Sequence, residues 1–279
     1  MKKSLIYLAT AIGILLTSHS CKKEPNGGVP IYLKIDSVSL NTTNTQGSAS
    51  QKITDVWVTA NGKPIGAFQL PAKIPILASG DVRLIISAGI KDNGIANTRV
   101  EYPFYAIDEH LLSNAQSGEV YTYTPQFTYG DFANFSYKED FEASNSFTKV
   151  NAVNGASEDV FEGNSSGKIT LTSSDSILTA YNTNGFTIPV TGREVYLEMN
   201  YKCDNYFEMG LLSVKSGALT ETYKITLSPK TSWNKIYINL SNEVGLLQAD
   251  SYRLYYRLVQ FTAGSGVNVS IDNLKIVNY

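Results

Sequence analysis

Two segments near the C-terminus place aromatic and hydrogen-bonding side chains on one face of a strand. In 233–240 and 251–261 these residues alternate with apolar ones, and alternation with a period of two is typical of a β-strand. Aromatic rings stack on the C–H surfaces of sugars, while guanidinium and amide groups bond sugar hydroxyls. The candidate ligand-binding residues are Trp233, Tyr237, Asn239, Arg253, Tyr255 and Arg257.

A third segment, 196–203, alternates in the same way. If the three strands are neighbours, they form one ring-bearing face that suits a shallow glycan site. An ordinary solvated sheet face and an interface with another domain are the alternatives. The opposite face of 233–240, with Ile236, Ile238 and Leu240, is predicted to lie in the core.

Few residues of this chain are suited to catalysis. The sequence has two His and two Cys, of which His19 and Cys21 lie close to the N-terminus. A serine triad would have to use His110, and a Cys/His zinc site cannot be assembled. No pair of acids stands out among the 25 Asp and Glu residues. We therefore predict a protein that is not an enzyme, with a cryptic glycoside hydrolase as the least favoured alternative.

The composition argues against a nucleic-acid partner and favours a protein that lies outside the cytoplasm. The 279 residues carry a formal net charge of −2, so the basic excess that binds a phosphate backbone is missing and nucleic-acid binding is not expected. Hydrophobic residues make up 43% of the chain, enough for a core in each of two domains. The 18 Tyr and the low charged fraction of 17% favour a β-rich extracytoplasmic protein.

The first 20 residues are typical of a signal peptide. Lys2 and Lys3 precede an apolar run, 5–16, whose 12 residues are too few to span a bilayer. The small residues before Cys21 resemble the lipobox of bacterial lipoproteins, although Ser18 stands where Leu is common. This resemblance implies that Cys21 is acylated. The polar, Gly/Pro-bearing residues that follow Cys21 predict a flexible tether over 21–30. The charged segment directly after Cys21 resembles the export signal of surface-displayed lipoproteins of Gram-negative bacteria, which implies a membrane partner, the outer membrane, and a location at the cell surface. Cleavage by ordinary signal peptidase, which would give a secreted protein, is the alternative.

Residues 31–130 are predicted to form short strands separated by turns. Asn61-Gly62 indicates a hairpin turn, and Pro71 and Pro75 keep 72–77 out of a central strand. About seven strands in ~100 residues predict an immunoglobulin-like sandwich, with one short helix at 106–112. Within 55–105, blocks such as DVWV and GAFQLP resemble an N-terminal β-sandwich module of surface lipoproteins.

Residues 138–279 are predicted to form a second β domain. The segments 139–142, 161–168, 233–240 and 269–276, in that order, resemble a galactose-binding-like jelly roll, the fold of many carbohydrate-binding modules. The resemblance implies a structural Ca²⁺ held by Glu142 and Asp272, with backbone carbonyls of the 163–167 loop completing the oxygen ligands. Capping of turns by these two carboxylates is the alternative.

The sequence thus predicts an all-β protein of two β-sandwich domains, immunoglobulin-like and then jelly-roll, behind a lipoprotein signal peptide. Its predicted function is that of a lipid-anchored cell-envelope protein whose jelly roll binds a polysaccharide without catalysis. A structural or adhesion lipoprotein that binds surface protein partners is the alternative.

Overall fold

The structure is a computed structural model that describes residues 28–143, 145–155, 159–189, 192–260 and 264–279. Strands account for most of the described chain, and one short helix is the exception among these residues. The all-β prediction is therefore confirmed. The finer assignments, immunoglobulin-like and jelly-roll, stay predictions.

Ten strands form an N-terminal unit, in which they pair with one another. Its strands are β1 (Ile31–Ile35), β2 (Ser39–Asn41), β3 (Asp55–Ala60), β4 (Lys63–Gln69), β5 (Ala72–Ile76), β6 (Gly80–Lys91), β7 (Arg99–Glu101), β8 (Asp108–Ala115), β9 (Val120–Thr122) and β10 (Gln126–Thr128). One sheet has the order β4-β3-β6-β7, with β8 also on β6, and the second has the order β5-β1-β9. Strands β2 and β10 form a separate parallel pair.

Alternation of apolar and polar residues explains the N-terminal core. Alternate residues of β1 and β6, such as Leu33 and Leu84, are fully buried in one cluster between the sheets. Strand β5 contains Pro75 and is an edge strand, as a missing backbone donor requires. The predicted helix at 106–112 is wrong, because these residues lie mostly in β8. There, pairing with β6 buries Leu112 and outweighs local helix propensity.

The C-terminal unit is built from the remaining ten strands, in two sheets. Its elements are β11 (Asn134–Glu139), β12 (Asn151–Asn154), β13 (Ser165–Leu171), β14 (Ile177–Tyr181), β15 (Val195–Cys203), β16 (Phe207–Lys215), β17 (Ala218–Leu227), β18 (Lys230–Asn239), α1 (Ser241–Leu247), β19 (Ser251–Val259) and β20 (Val267–Asn278). The six-stranded sheet has the order β12-β13-β20-β15-β18, with β11 also on β20, and the four-stranded sheet has the order β14-β19-β16-β17. The two sheets face each other across one core.

The six-stranded sheet is covered on both of its faces. Its inner face, with Ile236 and Ile238, packs in the C-terminal core, as the alternation in the sequence predicts. Its outer face contributes Tyr196, Tyr237 and Val277 to the core of the N-terminal unit. The four-stranded sheet is therefore the one whose outer face is left toward solvent. The described residues include no helix with the length and apolar character that a membrane crossing requires.

Candidate functional site

The six ligand residues predicted from sequence do not lie on one surface. Trp233, Tyr237 and Asn239 belong to β18 of the six-stranded sheet, whereas Arg253, Tyr255 and Arg257 belong to β19 of the four-stranded sheet. The condition for a single ring-bearing face, that all three alternating strands are neighbours, is therefore not met. Only β15 and β18 pair with each other.

The β18 residues line the interface between the two units. Tyr237 is buried, its hydroxyl lies 3.1 Å from that of Tyr105, and it accepts a hydrogen bond from the Lys52 backbone N–H. The Asn239 amide donates to the Tyr196 hydroxyl over 3.0 Å. This strand face is thus the domain interface that the sequence left as an alternative to a glycan surface. Trp233 is half-buried at the other end of the strand, with its ring 5.4 Å from that of Phe161.

A buried charge cluster lies at the centre of this interface, made of Tyr102, Tyr129, Glu198, Lys235 and Lys275. The Glu198 carboxylate accepts hydrogen bonds from the hydroxyls of Tyr102 and Tyr129, at 2.7 and 2.8 Å, and forms a 2.9 Å ion pair with Lys235. Burial disfavours the charged form of Glu198, but the charges of Lys235 and Lys275 outweigh it and lower its pKa. Burial lowers the pKa of Lys275 to about 8. The cluster has one carboxylate for two ammonium groups, and it couples the units.

The β19 residues lie on the open outer face of the four-stranded sheet. Tyr255 packs on Gly210 of the adjacent strand, where an added Cβ would lie 2.5 Å from the ring. The Arg257 guanidinium bonds the carboxylate of Glu221 and lies 3.6 Å from that of Glu208. These bonds, that to Glu221 foremost, raise the pKa of Arg257. The guanidinium is therefore held in place over this face by two acids.

Two further polar groups on this face lack partners among the described residues. The Tyr255 side chain is buried beneath its neighbours, and its hydroxyl has no hydrogen-bond partner there. Burial raises the pKa of Tyr255 to about 12. The Nε of Arg253, on the same strand face, is also buried without a partner within the described chain. Buried polar atoms are normally hydrogen-bonded, so this face has unused capacity for polar contacts.

A hollow of about 550 Å³ opens at one end of this face. We call it the sheet-face hollow; it is lined by Asn205, Tyr206, Phe207, Glu208, Thr226, Arg257 and Val259. The Tyr206 ring, 49% exposed, stands at its edge. The hollow combines an accessible aromatic ring with a guanidinium, a carboxylate, an amide and a hydroxyl. Its volume lies within the range of ~300–1,000 Å³ that is typical of small-ligand sites.

Of this hollow, sequence analysis found only Arg257. Tyr206 lies in the turn that joins β15 and β16, where no strand periodicity exists to mark it. Glu208 and Thr226 lie on β16 and β17, and the alternation in 207–211 of large apolar residues with Glu208 and Gly210 was the signal that identifies this face.

The two predicted calcium ligands lie around the same loop. Glu142 accepts hydrogen bonds from the backbone N–H groups of Asn164 and Ser165, at 2.7 and 2.8 Å, and the bond from Ser165 foremost lowers its pKa. Asp272 accepts from the Ser166 hydroxyl at 2.7 Å, and burial raises its pKa to about 6. These contacts are those of carboxylates that fix a loop. The described residues contain no group of three or more His, Cys, Asp or Glu side chains suited to a metal, and calcium here stays a prediction.

The remaining reactive side chains lie apart from these sites. Cys21 lies outside the described residues, so its acylation stays a prediction. Cys203 is buried at a core position of β15, and burial raises the pKa of its thiol to about 11. The His110 ring stacks on Tyr123 with centroids 3.8 Å apart.

No protein-family model matches this sequence, and no curated protein matches it either. Several solved structures resemble parts of the fold. A family 11 carbohydrate-binding module from Clostridium thermocellum, in complex with a β-1,3-1,4-mixed-linked tetrasaccharide, is 11% identical. It covers 52% of this chain and 94% of its own, with a TM-score of 0.38. A carbohydrate-binding module of the β-sandwich superfamily is 16% identical and covers 80% of this chain and 84% of its own, with a TM-score of 0.37. A mutant of a family 29 module, at 14% identity, covers 52% and 84% with a TM-score of 0.33. At these identities and TM-scores the likenesses do not define a function for this chain.

Proposed function

We propose that this chain is a lipid-anchored cell-envelope protein that binds a glycan without catalysis, through the sheet-face hollow of its C-terminal unit. The observation that carries the proposal is the pairing of an accessible ring, Tyr206, with a guanidinium, Arg257, held between two carboxylates on an open sheet face. Rings and fixed polar groups of both kinds are what recognition of a polyhydroxylated ligand requires.

Each side chain of the hollow would make a different kind of contact with a bound sugar. The Tyr206 ring offers a flat surface for the C–H face of a pyranose. The Arg257 guanidinium donates hydrogen bonds, and the Glu208 carboxylate accepts them from sugar hydroxyls. The Thr226 hydroxyl, 3.0 Å from that of Tyr223, extends the polar rim along β17. Because Arg257 is held by its acids before the ligand arrives, less side-chain freedom is lost on binding.

The proposed location rests on the N-terminal residues. Acylation of Cys21 would hold the protein on the outer membrane, since each buried CH₂ contributes ~0.8 kcal/mol and two or more acyl chains give stable anchoring. The tether 21–30 and the N-terminal unit would then separate the hollow from the membrane. Mass spectrometry of the protein from its native membrane tests this, and an unmodified Cys21 thiol contradicts it.

Affinity electrophoresis against a panel of neutral polysaccharides tests the binding site. The panel contains mixed-linked β-glucan, laminarin, xylan, mannan and starch. Removing the ring in Tyr206→Ala should cost about 1–2 kcal/mol, roughly 5- to 30-fold in Kd, and Arg257→Gln should weaken binding further. Phe132→Ala is the matched control, because Phe132 is 48% exposed but lies in the segment that joins the two units. Binding that survives both substitutions in the hollow refutes the proposed site.

A further inference from the structure

A second cavity, of about 190 Å³, lies between the two units. We call it the interdomain cleft. The N-terminal unit contributes Lys52 and Thr54 before β3, and Lys91 and Asn93 at the end of β6. The C-terminal unit contributes the β17–β18 turn, with Ser228 and Lys230, and the residues of β18 that follow it. The cleft therefore exists only where the two units meet.

The lining of this cleft is strongly basic in a protein whose net charge is −2. It includes Lys52, Lys91, Lys230 and Lys235, and no Asp or Glu. Lys235 is neutralised by Glu198 at 2.9 Å. The other three form no ion pair among the described residues, and the ammonium of Lys52 contacts the side-chain oxygen of Asn234.

Acids close to these lysines in sequence, or on the wall of an adjoining hollow, form no ion pair with them among the described residues. The Asp92 carboxylate, next to Lys91 in sequence, interacts with the Tyr196 hydroxyl, and its Oδ1 is buried with no hydrogen-bond partner among the described residues. Lys230 also lines a different hollow, separate from the cleft and from the sheet-face hollow, whose lining includes Asp159 and Asp204. Asp159 pairs with Lys168 at 2.7 Å and Lys202 at 3.4 Å. Asp204 accepts two hydrogen bonds of 2.8 Å from Asn268. Within the described part of the chain, Lys52, Lys91 and Lys230 therefore have no ion-pair partner.

Three neighbouring ammonium groups repel one another, and the effect is visible on Lys52. Burial, followed by the charges of Lys230 and Lys91, lowers its pKa. An anion between the lysines would remove this repulsion. Tyr201, whose hydroxyl interacts with the side chains of Ser228 and Asn234, forms part of the polar wall of the cleft.

We propose that the interdomain cleft binds one oxyanion group, a carboxylate, sulfate or phosphate, with Lys52, Lys91 and Lys230 as its counter-charges and hydrogen-bond donors. The volume of the cleft is below the ~300 Å³ at which sites for drug-sized ligands begin, so it suits a single charged group or one acidic sugar unit. The group could be a free inorganic anion or the acid group of a saccharide. The interdomain cleft and the sheet-face hollow share one lining residue, Thr226, so anion binding in the cleft does not depend on glycan binding in the hollow.

Calorimetric titration of the full chain tests the proposal. Sodium sulfate, phosphate and glucuronate are titrated at an ionic strength held constant with sodium chloride, which keeps screening equal, and glucose is the uncharged comparison. We expect saturable binding of at least one anion. Lys91→Gln and Lys230→Gln should each weaken it about 10- to 100-fold, as the loss of a charged hydrogen bond does. Lys63→Gln, the same charge change at the far end of the β3–β4 hairpin, should leave the affinity unchanged.

The outcomes separate the sources of the anion. Binding of glucuronate that is tighter than that of sulfate and phosphate assigns an acidic sugar, and the reverse order assigns a free inorganic anion. Thermal melting distinguishes the loss of the anion site from a general loss of folding. Without anion, Lys91→Gln should melt at or above the wild-type temperature because repulsion is relieved, and it should lose the stabilisation that the anion gives. No saturable binding of any of the three anions, or wild-type affinity in both cleft variants, overturns the proposal.

Discussion

Replacing Glu198 with Gln should destabilise both units at once. Glu198 is fully buried and is the one carboxylate in contact with Lys235, Tyr102 and Tyr129 in the buried charge cluster. Gln keeps an acceptor for a tyrosine hydroxyl but removes the negative charge. The ammonium group of Lys235 then loses its ion-pair partner, and that of Lys275 loses the nearby charge that most favours its charged form.

The size of the effect follows from that loss. Removing one partner of a buried ion pair costs about 3–5 kcal/mol, because the remaining charge stays desolvated. The pH dependence should change as well. In the wild type the pKa of Lys275 is about 8, below its usual 10.5, so the unfolded chain binds more protons between these values. Stability therefore rises with pH from about 8, by at most ~3 kcal/mol, until unfolded tyrosines ionise near pH 10 and reverse the trend. Because the charge of Glu198 raises the pKa of Lys275, the rise should begin below pH 8 in Glu198→Gln.

Urea denaturation followed by tryptophan fluorescence measures this in each unit separately. The chain has two Trp, Trp57 in the N-terminal unit and Trp233 in the C-terminal unit, so Trp57→Phe and Trp233→Phe backgrounds each report one unit. Glu109→Gln, which breaks an exposed pair with Arg83, is the control and should cost at most ~1 kcal/mol. A loss of less than ~1 kcal/mol in Glu198→Gln, or a loss confined to one Trp, would refute the role of the cluster in coupling the units.

Three further predictions concern the sites. Gly210→Ala should destabilise the protein by about 1–3 kcal/mol and weaken polysaccharide binding, because the added Cβ would lie 2.3 Å from a backbone carbonyl and 2.5 Å from the Tyr255 ring. Gly245→Ala, in α1 with open space around it, is the control and should be neutral or stabilising when both variants are compared by thermal melting. The pKa of Asp272 is raised from 3.8 to about 6, so its contribution to stability is complete below pH 4 and is lost as the pH rises through 6. Asp272→Asn should therefore flatten the dependence of stability on pH between pH 4 and 7. An unchanged pH dependence would contradict the burial of this carboxylate as the cause of the shift. Calcium bound by Glu142 and Asp272 predicts a higher Tm in millimolar CaCl₂ than in EDTA, abolished by Glu142→Gln; equal melting temperatures would leave these carboxylates the role of fixing the 163–167 loop.

Side-chain alternation predicted the faces of single strands well. The inward faces of β18 and β19, with Ile236, Ile238 and Leu254, follow directly from a period of two. The pattern cannot say which strands pair, because pairing depends on contacts between distant segments. That is why the sequence left open whether β19 lies beside β15 and β18, and the structure places it in the opposite sheet.

The local sequence pattern also could not show whether the polar and aromatic face of a strand is exposed to solvent or buried against another unit. Tyr237 and Glu198 have the composition of a solvated sheet face, yet they are buried by Tyr102, Tyr105 and other residues about 100 positions away. A tyrosine-rich interface and a glycan surface use the same residue types, since both need rings with a polar tip. Only the fold distinguishes them, and it moves the candidate site to the outer face of the four-stranded sheet.

Tyrosine nitration mapped by mass spectrometry, without and with the polysaccharide that the panel identifies, tests this placement most directly. We expect Tyr206 and Tyr223, which are about half exposed, to be nitrated in the free protein. Polysaccharide should protect Tyr206, while the buried Tyr237 stays unmodified in both states. Ready nitration of Tyr237 that the polysaccharide suppresses, with Tyr206 unaffected, would contradict it.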